Sequence, residues 1–412
     1  MNEITVVAVC VGLIVYSLID RKLEASSLSL PIFFSLFGLL LGDLGFNLVD
    51  THVDTELLAV FAEITLVLVL FSDAAKVDIK SLRSNIAVPV RMLIIGMPLT
   101  ILFGTAVAQW ASPEAPFVMA LLVAAILTPT DAALSQSITS SKTVPLRIKQ
   151  AINVESGLND GLVVPVVILA AILTAHATGG TYHDAPDNLG FFILTQLTLG
   201  PLVGVGVGLL LGKLIDYCVA KNLTDNDGQA IVVLAGALLS FVLAELIGGN
   251  GFIAAFLAGL TVGNVMKSHG EYSFEFMESE GKILTIITFI IFGALLLPKG
   301  IAHANWQAVI VACLFLTVVR IIPIMLSLIG VDMSFRHKLA LGWFGPRGLA
   351  SILFALLIDE RFDIPGYGNV LACVVLTVAL SVLLHGISAS PIARGFGGEI
   401  PPAQKGNIYK DV

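Results

Sequence analysis

Thirteen apolar stretches follow one another along the chain, separated by short polar loops. They are centred near Leu13, Phe34, Leu66, Met97, Ala125, Val163, Val205, Ala237, Ile253, Ile290, Phe315, Leu349 and Thr377. A helical bilayer crossing takes about 20 apolar residues. The second stretch, interrupted by Pro31, and the ninth, bounded by Gly251 and Gly263, are the weakest by that measure. The pattern predicts an all-α polytopic membrane protein with about thirteen transmembrane helices.

The loops test the count. Taken alternately, one set of loops together with the C-terminal tail holds seventeen of the 22 basic residues, and the opposite set holds only Lys299 and Arg361. Arg91, Arg320 and Arg347 fall within spans. One missed span would scramble so clean an alternation. Because cytoplasmic loops carry the Lys/Arg excess, the N-terminus is expected outside and the C-terminus in the cytoplasm. Positive charge follows the first apolar run and no A-x-A-type cleavage site is present, so the first span reads as a retained helix rather than a signal peptide.

Composition agrees: 13% of the 412 residues are charged and 57% hydrophobic, with mean hydropathy +0.95. Soluble domains carry roughly 25% charged residues. A net charge of −8 offers no basic surface for nucleic acid. The four cysteines are widely spaced and read as small buried thiols rather than a metal site. No GxxxxGK[ST] occurs, so transport would draw on an existing gradient rather than on nucleotide hydrolysis. Gly200, Gly204, Gly208 and Gly212, four apart, read as a close helix-packing face, with a dimer contact as the sharper alternative.

Two spans are interrupted. In AAILTPTDAALS, Pro129 cannot donate to the Ala125 carbonyl, and Asp131 follows deep in the span. In LGWFGPRGLAS, Pro346 frees the Gly342 carbonyl, Gly345 and Gly348 loosen the chain, and Arg347 lies between them. Broken helices in a membrane are tolerated only where protein or a wet cavity satisfies the backbone. The breaks fall in spans 5 and 12, matching positions if spans 1–6 and 8–13 are inverted six-helix repeats joined by span 7. That arrangement points to a secondary transporter with a site near the membrane midplane.

The sixth span contains VESGLNDGLVVPV. Glu155 and Asn159 are i, i+4, as are Ser156 and Asp160, so four polar groups share one sector of the helix. Hard cations take oxygen ligands of this kind. Gly157 and Gly161 leave room for a neighbouring backbone, and Pro165 frees the Gly161 carbonyl. Buried carboxylates near one another, such as Asp160 and Asp131, need neutralising by a proton, a cation or an arginine, and that choice is the requirement for exchange. Glu155 is expected to pair with Arg347, leaving Asp160 for the ion. Arg320, Arg91, Glu63, Asp73 and Glu245 are expected in span-end or interhelical ion pairs, and His385 in a hydrogen-bonded packing role.

TPTDAA, NVESGLNDG and FGPRGLAS, in this order and at these depths, resemble the sodium/proton antiporters of the NhaP/NHE kind, in the monovalent cation–proton antiporter superfamily. The resemblance covers about residues 4–392. It implies a homodimer embedded in membrane lipid, with crossed interrupted helices and elevator-type movement. The scaffold would comprise about residues 1–75 and 228–298, the mobile core about 85–178 and 305–392, and a linking helix about 190–220. It further implies that Asp160 binds cation and proton in competition, with Asn159 beside it. Asp131 and Thr130 would line the site from the broken helix, Ser156 would add an oxygen, and Glu155 would pair with Arg347. The transported monovalent cation, Na⁺ with Li⁺ or K⁺ as alternatives, would thus meet Asp160, Asp131, Ser156 and Thr130, without any cofactor. An Asn-Asp pair implies electroneutral one-for-one exchange. The short tail, residues 393–412, lacks the regulatory domain of the animal exchangers and suggests a prokaryotic protein. Two other readings stand against this one. An intramembrane aspartyl protease would use Asp131 and Asp160 as a dyad, but GLND lacks a GxGD-type setting. A cation channel or carboxylate-coupled symporter could use the same charges.

Overall fold

The computed structural model describes residues 3–25, 29–49, 55–77, 79, 86–139, 141, 143–182, 188–267 and 271–396. The tail beyond residue 396 and the loop residues Lys80, Arg83 and Lys142 lie outside them. The helices are α1 (Glu3–Ala25), α2 (Leu30–Leu41), α3 (Thr55–Ala75), α4 (Ala87–Ala111), α5 (Phe117–Ile126), α6 (Ala132–Thr139), α7 (Leu146–Thr178), α8 (Leu189–Ala220), α9 (Asn226–Leu246) and α10 (Gly251–Val265). They continue with α11 (Glu271–Ile291, prolonged through 292–302), α12 (Trp306–Leu316), α13 (Val318–Ser327), α14 (Phe335–Trp343), α15 (Leu349–Arg361) and α16 (Tyr367–Gly395). Every centre read from the sequence falls in one of these helices. Among the described residues, seven helical stretches are by themselves long and apolar enough to cross a membrane.

Local chemistry places the helix starts. Asn188, Asp225, Asn250, Asn305 and Ser334 each cap a helix by accepting a backbone N–H with the side chain. Prolines explain two distortions. π turns at Met92–Gly96 and Phe292–Leu296 lie just before Pro98 and Pro298, where the missing N–H removes a bond and the helix widens by one residue.

The Gly200–Gly212 face packs inside the chain. A Cβ at Gly204 would lie 2.4 Å from the Ala254 carbonyl oxygen, and one at Gly200 would lie 2.7 Å from that of Asn250. Helix α10 is therefore clasped by α8 on one side. On its other side, Gly259 and Gly263 bring it against the Phe71 and Ala75 carbonyls of α3. Helices α2, α3 and α8–α11 pack on one another, as do α4–α7 and α12–α16, and the two sets meet where α3 and α10 touch α7, where α3 touches α15 and where the prolonged end of α11 packs on α16. A short antiparallel ladder, β1 (Thr181–Tyr182) with β2 (Phe362–Asp363), ties the ends of α7 and α15.

Two expectations change. The cysteines are not buried thiols: Cys10 and Cys313 are exposed on the apolar perimeter, and Cys218 and Cys373 are half-buried. Span 11 is also interrupted, at Thr317 between α12 and α13 (φ −119°, ψ −91°).

Candidate functional site

The interruptions expected in spans 5 and 12 are present. Residues 127–131 separate α5 from α6, and residues 344–348 separate α14 from α15. They meet, and each supplies what the other lacks. The Asp131 N–H donates to the Pro346 carbonyl at 2.8 Å. The Asp131 carboxylate accepts the Leu349 N–H (2.7 Å) at the start of α15 and the Leu134 N–H (3.2 Å) in α6. Ser351 donates its hydroxyl to the Ile126 carbonyl at the end of α5 (2.7 Å). One acid thus serves the free N–H groups of two half-helices, where negative charge is also favoured by both dipoles.

Glycine at 348 is required by that contact, since a Cβ there would lie 1.9 Å from Asp131 Oδ2. Gly345 makes room in the same way for Arg320, whose Nε would lie 2.2 Å from an added Cβ. The sequence suggested that these glycines loosen the chain, and the structure shows them admitting charged groups.

Helix α7 runs unbroken through Pro165 and brings Glu155, Ser156, Asn159 and Asp160 to this junction, all buried. Thr130 Oγ1 lies 3.0 Å from Ser156 Oγ and accepts from Asn159 Nδ2 at 2.7 Å. Thr130, Ser156 and Asn159 therefore form one network joining the span-5 break to α7. Among the described residues, Asp160 Oδ1 and Asn159 Oδ1 are buried without a hydrogen-bond partner. Such orphaned acceptors are costly unless something occupies them.

Glu155 does not pair with Arg347. Both of its carboxylate oxygens are taken by Arg320, at 2.5 and 2.6 Å, with both side chains 2% exposed. This fork-to-fork geometry is the strong form of the interaction. Arg320 reaches Glu155 because the Thr317 interruption sets the course of α13 and Gly345 lets the guanidinium pass. Arg347, fully buried, turns back to donate Nη1 to its own loop at the Gly345 carbonyl (2.7 Å).

The other span-level charges take varied roles. Glu63 pairs with Arg361 across α3 and α15. Arg91 donates to the Ile329 carbonyl (2.6 Å), and Glu245 accepts the Gly251 N–H (2.8 Å) at the start of α10. His385 is hydrogen-bonded and buried as expected.

Sequence reasoning undervalued Asp73. It lies 3.9 Å from Lys76, and its Cβ and carbonyl face Gly157 on α7. It is the carboxylate that α3 presents toward Asp160. Its position near the end of span 3 was legible, but its partner helix was not. Gly161 admits the Phe256 ring of α10 rather than another backbone.

Comparisons with known proteins agree with one another. The family described as "Sodium/hydrogen exchanger, transmembrane" matches over residues 6–395. Similar curated proteins include a K(+)/H(+) antiporter NhaP of Alkalimonas amylolytica, 25% identical over 97% of this chain and 68% of that protein. A K(+)/H(+) antiporter NhaP2 of Shewanella oneidensis is 27% identical over 92% of this chain and 65% of its own length. The chain thus spans about two thirds of the length of these relatives. Among solved structures, the sodium proton antiporter MjNhaP1 of Methanocaldococcus jannaschii superposes with TM-score 0.76, at 20% identity, over 96% of this chain and 99% of that one. That likeness fixes the fold.

Proposed function

Because this chain belongs to the sodium/hydrogen exchanger transmembrane family, whose members are secondary transporters without a cofactor, we propose that it exchanges protons for a monovalent cation at Asp160. The observation that carries this reading is the buried, unpartnered Oδ1 of Asp160, set where α7 meets two interrupted helices. A carboxylate in that position holds either a proton or a cation, and one site for two ions makes them compete. If only the loaded forms cross, the two gradients stay coupled. Each tenfold proton gradient then supplies about 1.4 kcal/mol, enough to oppose a tenfold cation gradient.

Asn159 and Ser156, bound to Thr130, hold the span-5 break beside Asp160 and leave the Asn159 carbonyl oxygen as a second acceptor. Asp131 keeps the crossing of the breaks in register and adds its charge to the site. Glu155 with Arg320 holds α7 to α13 and leaves no second free acid on that face. Asn159, in place of an acid, supports one-for-one electroneutral exchange. The cation is Na⁺ or K⁺: the archaeal structure is of a sodium antiporter, and the named bacterial relatives are potassium antiporters. The loop charges support an outside N-terminus and a cytoplasmic C-terminus, with thirteen crossings. The two packed helix sets support a scaffold and a mobile core, and the family resemblance carries the expectation of a homodimer.

Proton flux in proteoliposomes, driven by Na⁺, Li⁺, K⁺ or Rb⁺ at several pH values, tests the assignment and names the ion. Asp160→Asn should abolish exchange in a folded protein; robust cation-driven proton flux in that variant would sink the proposal. Current under voltage clamp would instead indicate a channel or an electrogenic carrier.

A further inference from the structure

The last helix carries a polar stripe that the transport site does not use. Ser381, His385 and Ser388 lie at i, i+4 and i+7 on α16, so they share one face. Ser381 and His385 are buried, 0% and 1% exposed. A buried stripe on an otherwise apolar span has to be satisfied by something, and here it is satisfied by the interruption of span 12.

Each end of the break is held. His385 Nε2 lies 2.9 Å from the Trp343 carbonyl oxygen, the end of α14. Both ring nitrogens face a carbonyl, since Nδ1 lies 3.0 Å from that of Ser381 one turn back on α16. Nδ1 also lies 3.2 Å from the Ser381 hydroxyl, and that hydroxyl oxygen accepts the Arg347 N–H at 2.6 Å. The Trp343 indole N–H donates to Ser388 Oγ at 3.0 Å, and its ring lies against the imidazole with centroids 5.2 Å apart. The stripe therefore fixes Trp343 at one end of the interruption and Arg347 at the other.

The backbone that grips Asp131 lies between those two points and just beyond the second. Pro346 offers its carbonyl to the Asp131 N–H, and the Leu349 N–H binds the Asp131 carboxylate. Asp131 adjoins Thr130, whose hydroxyl meets Ser156 and Asn159. Three successive hydrogen-bonded links thus run from α16 to the turn of α7 that carries Asp160. We propose that His385 and Ser381 are positioning residues of the transport site, acting as a mould that sets the span-12 break and through it the placement of Asp131 and Thr130. The proposal rests on Asp160 and its neighbours being that site.

The test is cation-driven proton exchange by full-length protein in proteoliposomes, measured against cation concentration for the parent, Ser381→Ala, His385→Leu and His385→Gln. The cation is whichever the parent transports. A variant that only destabilises the protein lowers the amount of active carrier and the maximal rate, and leaves KM where it was. A displaced break alters the site itself. Losing a buried hydrogen-bond partner in such a network corresponds to roughly a tenfold rise in KM, expected for His385→Leu and Ser381→Ala. Glutamine can offer an N–H and an acceptor oxygen at similar reach, so His385→Gln should stay within about threefold of the parent. An unchanged KM in both Ser381→Ala and His385→Leu overturns the proposal, whatever happens to yield or maximal rate. A glutamine variant as impaired as leucine overturns it too. If His385→Leu gives no folded protein, Ser381→Ala, which removes a single oxygen, decides the matter alone. A parent with no exchange at all would instead overturn the transport reading.

Discussion

Replacing Glu155 by Gln or Arg320 by Met removes one half of an ion pair whose members are each 2% exposed. At that burial neither solvent nor salt screens the survivor. Removing one partner of such a pair costs about 3–5 kcal/mol, because a bare charge is left in the interior. Removing both leaves no bare charge, so the double variant should recover much of that loss, with a coupling of about 2–3 kcal/mol. For a chain of this size, 1 kcal/mol corresponds to roughly 2 °C in Tm. Each single variant should therefore melt roughly 6–10 °C below the parent in detergent, and the double variant well above the sum of the two losses. The same cycle run with Arg347→Met separates the observed pairing from the one the sequence suggested. Arg347 donates to the Gly345 carbonyl and makes no direct contact with Glu155, so its coupling should stay below about 1 kcal/mol. A coupling between Glu155 and Arg347 equal to or larger than that between Glu155 and Arg320 would refute the assignment.

Other outcomes follow from single contacts. Gly348→Ala places a methyl 1.9 Å from Asp131 Oδ2, so proteoliposome exchange should fall at least tenfold, about the worth of one buried charged hydrogen bond; near-normal flux would show that the contact can relax freely. Ser351→Ala leaves the Ile126 carbonyl unpaired and should cost about 1–3 kcal/mol, read as a lower Tm. Gly204→Val should lower Tm sharply through its clash with the Ala254 carbonyl, whereas Gly206→Val, with nothing within 4 Å, should be near neutral. Loss of dimer by Gly204→Val in a carrier of unchanged Tm would restore the intermolecular reading of that glycine face.

Helix positions and the breaks in spans 5 and 12 were legible because each has a local cause: a run of apolar residues, a proline, or a capping Asn, Asp or Ser. The partner of Glu155 was not. Three arginines fall within spans, and the choice depends on how α13 is aimed after Thr317 and on the gap at Gly345, both tertiary facts. A signal for the third interruption was present in TVVRIIP, a β-branched run ending at Pro323, which disfavours helix twice over. The glycine face of α8 was read correctly as close packing, but sequence spacing cannot say whether the opposing helix is in the same chain. Asp73 was filed with the span-end charges because span 3 shows no break or motif; only its approach to Gly157 brings it toward Asp160.

The two-residue ladder between Thr181–Tyr182 and Phe362–Asp363 looks minor beside helices of this length. It joins the far end of the helix bearing Asp160 to the far end of the helix that begins at the span-12 break, and Gly180 sits so tightly under the Asp363 carbonyl that a Cβ would lie 1.8 Å from it. With Asp131 holding the start of α15, and Thr130 beside it bonded to Ser156 and Asn159 part-way along α7, the two helices are tied at two separate levels, which resists lengthwise sliding between them. Under the proposed exchange, access to Asp160 would then change by movement of these two helices together rather than by shear between them.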